Sequence, residues 1–334
     1  MTFAMPSTCN GCATASLIAA VDALIMRTLS DPNSYVEAIN THLATAGGKR
    51  LRATMVLLAG SYGAAEHSNA AVRIAAGVEL IHLASLIHDD VIDHADRRRG
   101  RPAVHRAWGI PHAAFSGAYL LSRAAELING IGDAAIRHAL TLTVSAVCQG
   151  QIAETVRRGD CDMTPAEYGR IVRRKTGRLF AFAAYAGAVA VQAGAAVAVT
   201  LRRFGEAFGV LLQLVDDLND VIDGDPEGKP TATDVRRGVF SAPIVFACRG
   251  DSEDAVTLRA LLREPPLEGE RLERALTLVR NRSALGAARR AAARVAERAM
   301  VTLDDLPACD ATAQLRALVL DRLVVAQRGS EPLP

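Results

Sequence analysis

Aromatic side chains are scarce, at 4% of the 334 residues. The arginine-rich stretches are therefore not interleaved with aromatic residues that could stack on nucleic-acid bases. The formal net charge is only +2, which gives no strong attraction to a polyanion. Both features argue against a nucleic-acid-binding protein.

Positive charge is missing from the N-terminus, since no lysine or arginine precedes Arg27. A secretory signal peptide would need such a charged segment. Among the six cysteines only Cys9 and Cys12 form a CxxC pair, and a zinc site would need a second ligand pair at matching spacing. We therefore expect a cytoplasmic protein with reduced cysteines, in which residues 1–14 form a flexible leader.

Chain-breaking residues are rare in the middle of the sequence, where Pro165 is the only proline between Pro111 and Pro226. No stretch alternates apolar and polar residues between hairpin turns, and there is neither an internal repeat nor a low-complexity linker. These absences favour an all-α fold, with a single domain over residues 15–330.

An uncharged stretch over residues 179–201 is long enough to cross a bilayer. It is rich in alanine, however, and the tripeptide Gln192-Ala193-Gly194 interrupts it. We predict two buried helices of a helical bundle here, and no membrane span.

The segment from Ile81 to Pro102 joins an apolar helical run to acidic residues and then to arginines. Asp89 and Asp93 are four residues apart, which places both carboxylates on one helix face. Such hard oxygen ligands suit Mg²⁺, which bridges carboxylates to substrate phosphates, and the arginines suit phosphate through bidentate contacts. The alternative is a solvated, charged helix end.

A glycine pair opens the segment Gly47–Arg52, three cations follow, and an apolar helix continues from them. Because helix N-termini attract anions, this is a candidate phosphate site, although a helix-starting turn with surface cations explains it equally well. His82 lies two helical turns before Asp89 and shares its helix face, which makes it a candidate site residue. The alternative is a core histidine whose hydrogen bonds are made within the protein.

A second acidic cluster repeats the spacing of the first, with Asp216 and Asp220 four residues apart and Asp217 between them. If the two helices pack side by side, carboxylates from both could hold several Mg²⁺ ions around one diphosphate. Two unrelated charged helix ends are the alternative.

Several motifs of this chain, in this order, resemble those of trans-polyprenyl diphosphate synthases over roughly residues 35–328. They are Gly47–Arg52, Asp89–Asp93 with Arg98-Arg99-Gly100, Lys175-Thr176, Gln213–Asp220, and Gly228-Lys229 with Asp234. The residues around the first cluster are most similar to those of medium- and long-chain members. The resemblance implies a large helical bundle around a central cavity, usually a homodimer, that ionises an allylic diphosphate with Mg²⁺ and condenses it with isopentenyl diphosphate.

The resemblance also implies roles for individual residues. Isopentenyl diphosphate would be held by Lys49, Arg52, His82 and Arg99. Several Mg²⁺ ions would be held by Asp89, Asp93 and Asp216, with Asp90, Asp217 and Asp220 as further ligands or as groups that support the ligands. The allylic diphosphate would be held by Arg98, Lys175 and Lys229, with Thr176 and Gln213 close to the reacting end.

Two small residues, Ala84 and Ser85, stand one turn before Asp89, where short-chain members carry bulk. We therefore expect a product of geranylgeranyl length or longer. Five positions depart from the family pattern: Ala118 stands where Asp is usual, Gln151 where Glu is, Glu154 where Gln is, Leu212 where Phe is and Val239 where Lys is.

Two other functions are compatible with part of the pattern. A terpene cyclase-like enzyme ionises a diphosphate but needs no second diphosphate site. Lys49, Arg52 and Arg99 resemble such a second site and therefore argue against a cyclase. A non-catalytic partner subunit of another synthase tends to lose its aspartates, whereas both acidic clusters are intact here.

Overall fold

The computed structural model describes residues 10–63, 68–222, 232–264 and 266–327. Within these ranges the chain forms sixteen α-helices and a single antiparallel ribbon of two two-residue strands. The prediction of an all-α fold is confirmed.

The described residues divide into two compact units, of which the first contains those up to Thr141 and those from Phe182 to Arg202. Its complete elements are α1 (Asn10–Leu29), α2 (Ser34–Thr41), a 3₁₀ turn (Ala44–Ala46), α3 (Leu51–Gly60), α4 (Ser68–Ile92), β1 (Arg97–Arg98), β2 (Arg101–Pro102), α5 (Val104–Trp108) and α6 (Ile110–Asn129). Helix α4 is the centre of this unit, because α1, α3 and α6 all pack against it.

Helix α4 is central because it is apolar around most of its circumference, and Ile74, Val78 and Leu83 are completely buried. Gly77 lets α6 come close: a Cβ at this position would lie 2.7 Å from Cγ1 of Ile128. Among the described helices only residues 69–92 are long and apolar enough to cross a membrane, and 72% of their most apolar window is buried. That extent of burial is typical of a core helix.

The second unit contains residues 142–181 and the described residues from Arg203 onward. Its complete elements are α8 (Pro165–Val172), a π-helical turn (Arg173–Gly177), α11 (Thr233–Arg237), α12 (Ala242–Ala247), α13 (Glu253–Leu262), α14 (Gly269–Val279), α15 (Arg282–Asp304) and α16 (Asp310–Gln327). Three further helices have residues in both units: α7 (Ala134–Val156), α9 (Arg178–Ala190) and α10 (Ala195–Ile222). The rings of Phe180 and Phe204 both contact that of Phe208, and all three side chains are completely buried.

The structure differs from the sequence-based boundaries at two places. Helix α1 begins at Asn10 rather than near Ala15, because the helical spacing of apolar residues starts only at Leu17 and does not mark the helix end. Residues 1–9 of the expected leader lie outside the described residues. The sequence also predicts a helix over residues 166–178, whereas the chain continues from α8 through the π turn into α9. The two helices expected over residues 179–201 are confirmed, since α9 ends at Ala190 and α10 begins at Ala195. A single domain over residues 15–330 stays a prediction.

Candidate active site

The first acidic cluster lies at the C-terminal end of α4. The Asp93 N–H donates to the Asp89 carbonyl over 2.8 Å, so helical spacing persists and the two half-buried carboxylates share one face. Asp90 is buried instead, and its Oδ1 accepts hydrogen bonds from Nε and Nη2 of Arg98 at 2.9 and 2.5 Å. Burial raises the pKa of Asp90, and the contact with Arg98 opposes this rise. Asp90 therefore anchors Arg98, while Asp89 and Asp93 are the more accessible carboxylates.

The ribbon of β1 and β2 brings Arg99 to the glycine pair of the predicted anion site. Arg99 Nη1 donates to the Gly47 carbonyl, and a Cβ on Gly48 would lie 2.9 Å from Arg99 Nη2. The φ angles are 78° at Gly47 and 147° at Gly48, values that favour glycine. Glycine at this position therefore allows the guanidinium to sit directly against the backbone.

Arg50 has a structural role in the same segment. Its Nε donates to Oδ1 of Asp22 at 2.8 Å, and its Nη1 lies 3.6 Å from Oε2 of Glu79. Glu79 is 2% exposed, and its Oε1 accepts the N–H of Ala53 at 3.0 Å. With φ 47° and ψ 33°, Arg50 starts α3 in a left-handed conformation. The neighbouring Lys49 is exposed and therefore available to a ligand.

His82 lies among the cations of the first unit. Burial, together with the charges of Arg52 and Arg99, holds the pKa of His82 well below its ordinary value. The imidazole is therefore neutral at pH 7 and can hydrogen-bond an anion that the surrounding guanidinium groups neutralise. The structure thus places His82 near Arg52, Arg99 and also Arg98, which the sequence assigned to the other diphosphate; the role of His82 in binding isopentenyl diphosphate stays a prediction.

The second acidic cluster lies in the last two turns of α10. Asp217 is buried, and its carboxylate accepts hydrogen bonds from Tyr168 Oη at 2.5 Å, from the Ala242 N–H at 2.8 Å and from Gln213 Nε2 at 2.9 Å. Burial raises the pKa of Asp217 to about 6 despite these hydrogen bonds. Asp216 is exposed and Asp220 half-buried, so these two are the accessible carboxylates.

A hydrogen-bonded chain connects the second cluster to the π turn. Thr176 Oγ1 donates to Gln213 Oε1 at 2.9 Å, and Gln213 in turn donates to Asp217. Tyr168, which donates to the same carboxylate, was missed by the sequence analysis. No local pattern could have identified it, since Asp217 is 49 residues further along the chain.

Lys175 also lies on the π turn, and its Nζ is 2.5 Å from Oε2 of Glu154. Gln151 Nε2 donates to the same oxygen at 3.2 Å. The backbones of α7 and the π turn touch here, since a Cβ on Gly150 would lie 2.5 Å from the nitrogen of Lys175. Two departures from the family pattern, Gln151 and Glu154, therefore meet at Lys175.

Asp234 adds a carboxylate near the second cluster, and its N–H donates to Oδ2 of Asp220 at 3.2 Å. Burial and the charges of Asp220 and Asp217 raise the pKa of Asp234 well above its ordinary value. A divalent cation would relieve such an accumulation of negative charge. Lys229, predicted to hold the allylic diphosphate, lies outside the described residues.

The donor atoms fit Mg²⁺, which prefers carboxylate oxygens. No group of three or more acidic, histidine or cysteine side chains within the described ranges is arranged to hold one metal ion by itself. That is compatible with Mg²⁺, which usually takes one or two carboxylates and completes its shell with water and substrate phosphates. Asp90 and Asp217 stay predicted metal ligands, although the structure already gives both carboxylates protein donors.

The sequence profile of a family described as polyprenyl synthetase matches residues 33–279. The chain belongs to this family. It is therefore a prenyltransferase, and the trans-polyprenyl diphosphate synthase resemblance is confirmed.

Relatives of this polyprenyl synthase cover nearly its whole length. It is 33% identical to a nonaprenyl diphosphate synthase of Mycobacterium tuberculosis over 90% of both chains. It is 31% identical to component 2 of a heptaprenyl diphosphate synthase of Geobacillus stearothermophilus, over 91% of this chain and 94% of the relative. A polyprenyl synthase of Caulobacter crescentus, solved with calcium and isoprenyl diphosphate, superimposes with a TM-score of 0.87 at 31% identity, over 95% of this chain and 96% of the other.

The two residues expected to set product length differ in their surroundings in this synthase. Ala84 is completely buried in the packed interior of the first unit. Ser85 is half-buried, and its hydroxyl donates to the His82 carbonyl at 2.8 Å. A bulky side chain can therefore be accommodated more easily at position 85 than at position 84.

The three remaining departures from the family pattern have different environments. Ala118 is exposed, Leu212 is buried and Val239 is half-buried. Val239 leaves the segment after α11 without the cation that is usual at this position.

Proposed function

We propose that this prenyltransferase condenses an allylic diphosphate with isopentenyl diphosphate in an Mg²⁺-dependent reaction and makes all-trans polyprenyl diphosphates of geranylgeranyl length or longer. The observation that carries the proposal is the group of cations around His82 in the first unit, Arg52 and Arg99, with Arg99 held against the Gly47 carbonyl. These cations would form a diphosphate site distinct from the one that the acidic clusters would form through Mg²⁺. A condensing enzyme needs two diphosphate sites, whereas an enzyme that only ionises one substrate needs one.

Isopentenyl diphosphate would bind at Lys49, Arg52, His82 and Arg99. The guanidinium groups supply charge-assisted hydrogen bonds, and the neutral imidazole of His82 adds a hydrogen bond without repelling the nearby arginines. The Arg50–Glu79 pair holds the segment that carries Lys49 and Arg52. The diphosphate of isopentenyl diphosphate stays bonded to its carbon chain during the reaction. Its site therefore has to hold it in place but does not need a metal ion that activates a leaving group.

The allylic diphosphate would bind with Asp89, Asp93, Asp216 and Asp220 through Mg²⁺, and with Arg98 and Lys175 directly. Bound Mg²⁺ supplies positive charge that makes the diphosphate a better leaving group. Arg98 and Lys175 stabilise the charge that develops as the C–O bond breaks. The double bond of isopentenyl diphosphate would then attack the allylic cation, and transfer of a proton to the departing diphosphate would give a diphosphate five carbons longer.

A long product is supported by two observations. Neither Ala84 nor Ser85 carries bulk one turn before Asp89. The relatives in Mycobacterium tuberculosis and Geobacillus stearothermophilus are named for nonaprenyl and heptaprenyl products. The departure at Val239 removes a cation from the allylic side, and we expect it to raise the KM of the allylic primer.

We also propose a cytoplasmic homodimer. In the first unit, Ile110 and Phe115 of α6 are 54% and 78% exposed, and in the second unit Ile152 and Val156 of α7 are 64% and 76% exposed. A homodimer that covers these side chains would remove their apolar surface from water, which stabilises association. Light scattering on the purified protein tests this; a monomer that becomes active only with a second component would favour the arrangement implied by the name of the Geobacillus relative.

The deciding experiment incubates the purified protein with Mg²⁺, isopentenyl diphosphate and allylic primers of increasing length, and sizes the products. We expect extension by five-carbon steps, and loss of activity with EDTA or in Asp89→Asn and Asp216→Asn variants. Asp96→Asn, which alters an exposed acid near the first cluster, is the matched control. A hydrocarbon product would favour a cyclase, and no extension with any primer would overturn the proposal.

A further inference from the structure

The ion pair between Glu154 and Lys175 joins a carboxylate to a lysine that the proposed function assigns to the allylic diphosphate. Their side chains are each 24% exposed, so the pair is partly shielded from water. An ammonium group has three N–H donors, and a carboxylate this close uses at least one of them. A bound diphosphate would therefore have to share Lys175 with Glu154 or displace it.

The surrounding contacts fix Glu154 in this position. Gln151 donates to the same carboxylate oxygen, and the close contact of Gly150 with the backbone of Lys175 holds α7 against the π turn. A π turn is rare and frequently lies at a functional site. The next residue, Thr176, begins the hydrogen-bonded chain to Gln213, so Lys175 has little freedom to move away with its backbone.

We propose that Glu154 is a positioning residue that holds Lys175 and competes with a diphosphate for its ammonium group, which weakens diphosphate binding in the second unit. This inference rests on the proposed function, in which Lys175 binds the allylic diphosphate. A carboxylate next to a diphosphate also repels it, so both effects act in the same direction. The consequence for turnover is faster release of the inorganic diphosphate that each condensation produces.

The charge of Glu154 reaches the second acidic cluster. Burial and the charges of Asp220 and Asp217 raise the pKa of Asp234 most, the carboxylate of Glu154 adds to that rise, and Lys175 opposes it. Glu154 and Lys175 therefore belong to the electrostatic environment in which a metal-bound diphosphate would lie.

The test is calorimetric titration of Mg²⁺ and inorganic diphosphate into four proteins: the parent, Glu154→Gln, Lys175→Gln and the double variant. Glutamine keeps the shape of Glu154 and can still accept from Gln151. We expect Glu154→Gln to bind diphosphate about three- to tenfold more tightly, the range of a partly shielded ion pair. The gain should disappear in the Lys175→Gln background, because the competition acts through that ammonium group.

Glu206→Gln is the matched control, because Glu206 pairs with Arg178 beside the same π turn at 3.0 Å and its side chain is similarly exposed, at 27%. We expect this variant to bind diphosphate as the parent does. Melting temperatures check folding, and Glu154→Ala should show the same gain as Glu154→Gln.

Four results would overturn the inference. The first is that Glu154→Gln binds diphosphate as the parent does, or more weakly. The second and third are that the affinity for diphosphate rises as much when Glu154→Gln is added to Lys175→Gln, or in Glu206→Gln alone. The fourth is that the parent shows no Mg²⁺-dependent binding of diphosphate. Elongation by the parent is measured separately. If the parent elongates primers but Glu154→Gln binds diphosphate with the parent's affinity, only this inference is refuted. If Glu154→Gln binds diphosphate more tightly but the parent elongates no primer, the proposed function is refuted.

Discussion

Arg50 and Glu79 form an ion pair inside the first unit, with Nη1 of one 3.6 Å from Oε2 of the other and side-chain exposures of 9% and 3%. The pair holds a residue in the left-handed conformation, which is uncommon for arginine. It therefore determines where the chain enters α3 and where the flanking cations Lys49 and Arg52 lie.

Replacing Glu79 by glutamine should destabilise the protein by about 3 kcal/mol, because it leaves Arg50 buried with one charge partner fewer. The KM for isopentenyl diphosphate should rise more than kcat falls, since the site is displaced rather than the chemistry removed. Urea unfolding and steady-state kinetics measure the two effects. The control is Asp96→Asn, because Asp96 pairs with the exposed Arg106. We expect this variant to change the free energy of unfolding by less than about 0.5 kcal/mol. Equal losses in the two variants would contradict a special role for the buried pair.

Replacing Tyr168 by phenylalanine removes one of the three hydrogen bonds to the buried carboxylate of Asp217. We expect a loss of about 1–2 kcal/mol in the free energy of unfolding. Because Asp217 also accepts from Gln213, the chain to Thr176 should loosen and kcat should fall. Tyr35→Phe serves as the control, since Tyr35 is 52% exposed. The prediction fails if Tyr168→Phe leaves both kcat and the unfolding free energy at the parent values.

Protonation of His82 should destabilise the folded protein. Its pKa in the folded state lies well below the unfolded value of about 6.5, so the unfolded chain binds more protons between the two values. Stability contributed by the neutral imidazole is therefore present above about pH 6.5 and is lost as the pH falls below it. Urea unfolding at several pH values between 5 and 8 should show a smaller acid loss in His82→Gln than in the parent.

The exposed His138 provides the control for this measurement, because His138→Gln should follow the pH dependence of the parent. A bound diphosphate adds negative charge beside His82 and should raise its pKa, which NMR titration of the imidazole detects. Identical acid losses in parent and His82→Gln would show that another group is responsible.

The parts of the site that follow from local spacing could be predicted from the sequence. Asp89, Asp93 and His82 share a helix face because their separations match the helical period, and the start of α3 follows from the glycines before it. The contribution of Asp22 could not be predicted, since it is 28 residues before Arg50 and only the packing of α1 against α3 brings them together.

The structural role of the carboxylates next to the proposed metal ligands could not be predicted either. Asp90 and Asp217 have the same residue type as their neighbours, and only burial distinguishes them from the accessible Asp89 and Asp216. Burial depends on which side of the helix faces the interior, and both helices are apolar on several sides. Similarly, the continuous path from α8 into α9 depends on a π turn that no local pattern indicated.

A bulky side chain one turn before Asp89 should shorten the product. Ser85→Phe places a ring on the half-buried side of α4 and should halt elongation earlier, with little loss of stability because position 85 is not fully enclosed. Ala84→Phe should also shorten the product, but at a cost of about 1–3 kcal/mol, since Ala84 is completely buried and the core around it must repack. Product sizing and urea unfolding of both variants measure these effects, with the exposed Ser145→Phe on α7 as the matched control. A product distribution that stays the same in both variants would show that this turn of α4 does not limit chain length.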